Sequence, residues 1–148
     1  SGGGASDVAI GPLVGALAQC ERHEQAAKLI APEAFAYEHS ELPDQVLGLA
    51  TGLLRQDRAV EARAYLNKLE KGVALRLDLE LDVPEGLVPD MKRRIAHCLR
   101  HEGLYQESKV RLQELLAASG GLEHGYEAMV AADIGLLEAE TARLSDLS

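Results

Sequence analysis

The residues with the clearest chemical potential lie in one short run, His97-Cys98-Leu99-Arg100-His101. Two histidines four positions apart lie on one face of a helix, which is a spacing that can hold a zinc ion. No second pair with ligand spacing occurs, the glutamate of a zinc protease is absent, and Cys20 and His23 could complete a site only if the fold brought them close. The other interpretation places Arg100 and His101 at the negative end of a helix dipole. The sequence therefore predicts no metal site.

Other catalytic patterns are missing as well. No glycine-rich loop lies between a strand and a helix, and no nucleophile elbow is present. The 24 acidic residues identify no catalytic site, because carboxylates are common on any solvated surface. The sequence predicts no catalytic residue and no cofactor.

Composition limits the classes of partner and setting. A net charge of −9 argues against nucleic-acid binding, which needs a basic footprint. The sequence lacks a run of about 18 apolar residues, which predicts no membrane insertion. Two cysteines far apart in sequence favour a reduced, cytoplasmic chain, and an excess of arginine over lysine with abundant alanine and leucine indicates a bacterial source.

The elements that must position any site follow a repeated apolar pattern. A large apolar residue beside a small one is followed, after a break, by a second small residue and two leucines at helical spacing. One copy has Leu49, Ala50, Leu53, Ala62, Leu66 and Leu69, and another, 46 residues later, has Ile95, Ala96, Leu99, Ser108, Leu112 and Leu115. A weaker first copy places Val14 and Ala26 at the same separation as Ala50 and Ala62. This pattern predicts helical hairpins stacked as an array.

The paired-helix pattern resembles the tetratricopeptide repeat, whose two helices carry large and small residues in these positions. The run from Gly103 to Ser108 also resembles the turn between that family's helices. The chain departs from the family in lacking the usual tryptophan and closing proline, and in a copy spacing of 36 and then 46 residues. The resemblance implies an all-α solenoid of about three hairpins with a C-terminal capping helix.

The resemblance also implies a binding groove. In that family the residues two before and two after the large core residue of the first helix line the concave surface. Those positions are Arg93 and His97 here, with Arg100 and His101 one turn further on. A basic strip of this kind would bind an acidic peptide or its terminal carboxylate, although a solvated charged face remains the alternative.

One segment, residues 73–83, does not follow the helical period. Its apolar residues alternate with polar ones, which predicts an extended insertion that forms an interface. The alternative is a helix or an irregular loop between repeats. Asp57 and Gly72 are expected to begin and to end the preceding helix. The interface residues predicted in this segment are Leu75, Leu77, Leu79 and Leu81.

The organisation predicted from these patterns is residues 1–6 as a linker or cloning remnant and residues 7–148 as a single helical-repeat domain. The function expected of such a chain is non-catalytic protein–protein interaction, as an adaptor, chaperone or scaffold subunit of a secretion apparatus or regulatory complex. The alternatives are a helical accessory domain of an enzyme and a self-associating structural domain, such as a homodimer.

Overall fold

The structure, a computed structural model, describes residues 2–37, 40–118 and 124–147. Within these ranges the chain has seven α-helices, one 3-10 helix (Pro32–Phe35) and no β-strand, which confirms the predicted all-α fold class. The first helix includes residues 2–6, which the sequence assigns to a linker. The α-helices are α1 (Gly2–Gln19), α2 (His23–Leu29), α3 (Leu42–Arg55), α4 (Ala59–Asp78), α5 (Leu87–His101), α6 (Tyr105–Ala117) and α7 (His124–Leu147).

The first six α-helices form three hairpins, and their turns share one backbone conformation. Each turn has a residue with positive φ, namely Glu21 (62°), Asp57 (59°) and Gly103 (82°). The next N–H donates to a carbonyl five residues back, from Arg22 to Leu17 (2.9 Å), Arg58 to Leu53 (2.9 Å) and Leu104 to Leu99 (2.8 Å). This left-handed helix ending satisfies carbonyls that the helix itself leaves without partners. Asp57 therefore shapes the turn, and its predicted role as N-cap is wrong, because Arg58 holds that position.

The three hairpins also bury equivalent side chains. The first helix of each contributes a valine or an alanine, and the second helix contributes an alanine or a serine twelve positions later. All six are at most 1 % exposed, so the hairpin spacing read from the sequence is confirmed. These residues are Val14 and Ala26, Ala50 and Ala62, and Ala96 and Ser108.

Contacts within the chain group into two compact units, residues 1–91 and 92–148. In the first unit α1 packs against α3 and α2 packs against α4, so that like helices of successive hairpins are neighbours. The 3-10 helix packs on α4, where the ring of Phe35 lies against Gly72. A Cβ at residue 72 would overlap this ring, so Gly72 permits a close approach. Its predicted role as a helix stop is wrong, because α4 continues to Asp78.

The extended insertion predicted over residues 73–83 is also wrong. Residues 73–78 continue α4, and the chain leaves the helix through a turn in which Glu80 has a φ of 57°. The buried residues Leu69, Gly72, Val73 and Arg76 follow the helical spacing i, i+3, i+4, i+7. Apolar and polar residues alternate over residues 73–83 because a buried helical position holds Arg76, while Leu77 and Leu79 lie at exposed positions.

Arg76 is buried because backbone carbonyls surround its guanidinium. It donates to the carbonyls of Phe35 (2.7 Å) and Asp82 (2.7 and 2.9 Å) and to that of Tyr37. Only 4 % of this residue is exposed. A charged side chain can be buried at such a position since its donors are all directed at acceptors. Arg76 thereby joins the end of α4 to the chain at Asp82 and to the chain at the end of the 3-10 helix.

The second unit has its own apolar core. Ala96, Leu112 and Leu115 cluster with Val130 and Leu137 of α7, so the C-terminal helix expected from the sequence is present and packs on the third hairpin. Met129 and Leu144 of the same helix are 44 % and 42 % exposed. Between the two helices of the third hairpin, the Ser108 hydroxyl donates to the Ala96 carbonyl (2.6 Å).

Candidate partner-binding groove

A groove runs between α1 and α3 in the first unit. It consists of a cavity of about 1050 Å³ and a smaller one of about 320 Å³, which share Gly15 and Gln19 as lining residues. Several of the lining side chains are exposed, among them Gln19, Glu41 and Asp44, so the groove is open to solvent. We refer to these two cavities together as the α1–α3 groove.

Glycines form much of the groove wall, at positions 11, 15, 48 and 52. On α1, a Cβ at Gly11 or Gly15 would lie 3.2 or 3.3 Å from the amide of Gln45, which itself donates to the Gly11 carbonyl (2.7 Å). These two glycines therefore serve contacts within the chain. On α3, a Cβ at Gly48 or Gly52 would meet nothing within 4 Å.

Gly48 and Gly52 reduce the stability of α3 without a packing reason inside the unit. A glycine in a helix interior costs about 0.5–1 kcal/mol relative to alanine, because it loses more backbone freedom on folding. Both glycines face the smaller cavity. Their absent side chains leave the α3 backbone accessible from the groove.

Carboxylates give the groove its charge. Glu41 and Asp44 line the larger cavity, and Glu21 lines the smaller one. Among the described residues that line the two cavities there is no lysine and no arginine. Arg58 binds Glu21 and also holds Glu61 through two hydrogen bonds (2.6 and 2.9 Å), and it lowers the pKa of Glu21.

A histidine at the start of α2 lines the smaller cavity. His23 is 7 % exposed, and its Nδ1 forms a hydrogen bond of 2.9 Å with the hydroxyl of Tyr65, which is fully buried. Its Nε2 is buried and forms no hydrogen bond, with the Glu21 carboxylate 3.4 Å away. Burial raises the pKa of Tyr65, and the charge of Glu61 raises it further. The phenol is thus kept protonated beside the imidazole.

The basic strip predicted on α5 meets carboxylates of α7. The Nε of Arg93 donates to Asp133 (2.7 Å), His97 Nε2 lies 3.4 Å from the same carboxylate, and Arg100 pairs with Glu140. These three residues are therefore brought together, as predicted, and an acidic helix of the same chain occupies them. Their role in binding an external partner stays a prediction.

Burial controls the ionisation of the histidine in this strip. It lowers the pKa of His97, while Asp133 acts in the opposite direction and the charge of Arg93 adds to the lowering. Arg100 lowers the pKa of Glu140 through its hydrogen bond. His101, also predicted for the strip, is exposed.

The four leucines predicted as an interface do not share one face. Leu77 and Leu79 are 57 % and 51 % exposed, whereas Leu75 and Leu81 are partly buried. Leu75 and Leu77 belong to α4, and Leu79 and Leu81 follow its end. Partner binding through the two exposed leucines stays a prediction.

Reasoning from the sequence missed the α1–α3 groove. The available signal was a pair of glycines four positions apart in each of two helices, Gly11 with Gly15 and Gly48 with Gly52. Since four positions span about one helical turn, such pairs produce a smooth strip on one helix face.

Two findings concern ligands and membranes. In the described part of the chain, no group of three or more histidine, cysteine, aspartate or glutamate side chains is arranged to hold a metal ion. None of the described helices combines the length and the apolar character that crossing a bilayer requires.

Comparison with known proteins gave no match. No protein-family model, no curated protein and no solved structure is similar to this chain.

Proposed function

We propose that this protein is a non-catalytic interaction module, an adaptor, chaperone or scaffold subunit that binds a segment of a partner protein in the α1–α3 groove. The observation that carries this proposal is the pair Gly48 and Gly52. They weaken their own helix, nothing inside the unit fills the space beside them, and they border a groove open to solvent.

The arrangement of the hairpins supports the proposal. Stacked hairpins place their first helices side by side, as α1 and α3 are, and the surface between them is available to an external segment. The shared turn and the buried pairs at equal spacing support our further inference that the hairpins are divergent tetratricopeptide-type repeats. A cytoplasmic, bacterial setting belongs to the same proposal. The two free cysteines suit a reducing compartment, and the excess of arginine over lysine suits a bacterial source.

The groove is a better candidate than the basic strip of α5. Arg93, His97 and Arg100 already contact carboxylates of α7, so an external acidic peptide would have to displace that helix. The groove requires no displacement.

Affinity capture with matched variants tests the proposal. Gly48→Leu adds a side chain to the groove, and Gly135→Leu adds the same side chain to an exposed position of α7 where a Cβ also meets nothing. We expect proteins captured from a lysate of the source organism by the wild type to be retained by Gly135→Leu and lost with Gly48→Leu. Capture of the same proteins by both variants would contradict binding in the groove.

A further inference from the structure

We infer that the segment bound in the α1–α3 groove is basic, with a lysine or arginine near Glu41 and Asp44 and its backbone passing over Gly48 and Gly52. This inference rests on the proposed function and adds the chemical class of the partner.

The charge of the groove carries the inference. Glu41 and Asp44 are exposed carboxylates at the beginning of α3, and they line the larger cavity. An anionic segment entering there would meet both of them, whereas a cationic side chain would form charge-assisted hydrogen bonds. Since the described lining includes no lysine or arginine, the groove itself supplies no positive charge to attract an acidic ligand.

The first unit, which surrounds the groove, also has a negative net charge. Residues 1–91 contain 15 acidic and eight basic residues, so the surface around the groove attracts positive charge at long range as well. Electrostatic attraction of this kind raises the association rate and weakens with added salt.

The glycines indicate how close the segment comes. A Cβ at either Gly48 or Gly52 would extend into open space, so the strip they form accommodates a peptide backbone rather than a side chain of this protein. Small residues on a helix allow another chain to approach within a distance that larger residues prevent.

An unsatisfied buried atom lies beside the same strip. His23 borders the smaller cavity with Gly48 and Gly52, and its buried Nε2 has no hydrogen-bond partner. Such an atom costs free energy, and native structures usually supply a partner for it. A peptide group of the bound segment, lying over the glycines, would supply a partner for it, while Glu21 stays paired with Arg58.

Selection from a displayed library of random 12-residue peptides tests the inference. The library is first depleted on folded Gly48→Leu protein and then selected on the wild type. We expect the retained peptides to be enriched in lysine and arginine. We also expect their affinity to fall at least tenfold with Gly48→Leu, and to fall similarly with the isosteric pair Glu41→Gln and Asp44→Asn. Gly135→Leu is the control that should leave the affinity unchanged.

The outcomes separate the two proposals. If no peptide distinguishes the wild type from Gly48→Leu, the groove binds no protein segment and the proposed function fails. If peptides do distinguish them but show no basic enrichment, or bind the Glu41→Gln, Asp44→Asn protein equally well, binding in the groove stands and the basic partner is wrong. Circular dichroism and melting temperature establish that each variant is folded.

Discussion

Single residues in the first unit combine burial with polarity, and the pair His23 and Tyr65 is the clearest case. Their one hydrogen bond joins an almost fully buried imidazole to a fully buried phenol. Because water cannot replace either partner, the bond is worth more to the folded state than an exposed one.

Removal of the phenol hydroxyl should therefore destabilise the protein. Tyr65→Phe leaves His23 Nδ1 buried without a partner, and we expect the free energy of unfolding to fall by about 1–3 kcal/mol. Urea denaturation measures this change. A double-mutant cycle with His23→Leu should show strong coupling between the two sites. Additive effects would mean that the hydrogen bond contributes little.

Substitutions at Gly48 and Gly52 should stabilise the protein, in contrast to the substitution at Tyr65. Replacing each by alanine adds a methyl group in open space and restricts the unfolded chain, so we expect about 0.5–1 kcal/mol of stabilisation per site. Gly72→Ala is the contrasting variant, since its Cβ would overlap the Phe35 ring and should destabilise the protein. Denaturant titration of the three variants checks the signs. If Gly48→Ala and Gly52→Ala fail to stabilise, these glycines have an internal role and the argument for an external segment is lost.

At the scale of elements, the turn within each hairpin is the repeated unit of this fold. The same left-handed position is occupied by glutamate, aspartate and glycine in the three copies. A residue with a Cβ is less stable in this conformation than glycine by roughly 1–2 kcal/mol. The three turns therefore have the same backbone conformation, but only the third has glycine, the residue that is most stable in it.

Substitutions at this left-handed position should change the free energy of unfolding in opposite directions in two of the turns. Asp57→Gly should stabilise the protein by up to about 1 kcal/mol, and Gly103→Ala should destabilise it by a similar amount, because both residues hold positive φ. Thermal or urea unfolding of the two variants tests it. Destabilisation by Asp57→Gly would show that the aspartate side chain supports the turn.

The sequence predicted the hairpins because small residues recur at fixed separations, and the structure buries them. It failed at residues 73–83 because hydropathy does not reveal that Gly72 and Arg76 occupy buried helical positions. Gly72 is buried against Phe35, and Arg76 donates to the carbonyls of Phe35 and Tyr37 as well as to that of Asp82. Phe35 and Tyr37 lie about 40 residues away in sequence. Local patterns contain no information about such partners.

The candidate site shows the same limit. The sequence located Arg93, His97 and Arg100 on one face, and the structure brings them together. Their partners on α7, Asp133 and Glu140, are about 40 residues further along, and no spacing rule predicts them. The α1–α3 groove depends on two helices packing side by side, so a reading of either helix alone could not identify it.

At the scale of the whole molecule, the net negative charge is divided unequally between the two units. The excess of acidic residues falls mainly within residues 1–91, where the groove lies, while residues 92–148 contain nine acidic and seven basic residues. In the second unit, the ion pairs that the structure describes join α5 or α6 to α7, such as Arg93 with Asp133 (2.7 Å) and Lys109 with Glu138 (3.7 Å). The first unit has the larger excess of acidic residues, which suits a basic partner.

Acidification should destabilise the protein through two groups of the second unit. The folded pKa of His97 lies below its ordinary value of 6.5, so the unfolded chain takes up a proton first and stability falls as pH decreases through about 6.5. The folded pKa of Glu140 lies below 4.5, so its contribution is present above that pH and is lost as pH falls through the folded pKa. Both shifts therefore favour the folded state near neutral pH.

Variants separate these two steps. His97→Gln should remove the loss of stability between pH 7.5 and 5.5, measured as the change in urea midpoint, while leaving the loss below pH 4.5. Arg100→Met removes the partner that lowers the pKa of Glu140, so it should reduce the loss of stability below pH 4.5. Because the charge of Arg100 also helps to lower the pKa of His97, the same variant should make the step near pH 6.5 smaller without abolishing it. A His97→Gln profile that retains the full wild-type slope between pH 7.5 and 5.5 would show that burial of His97 does not govern this step.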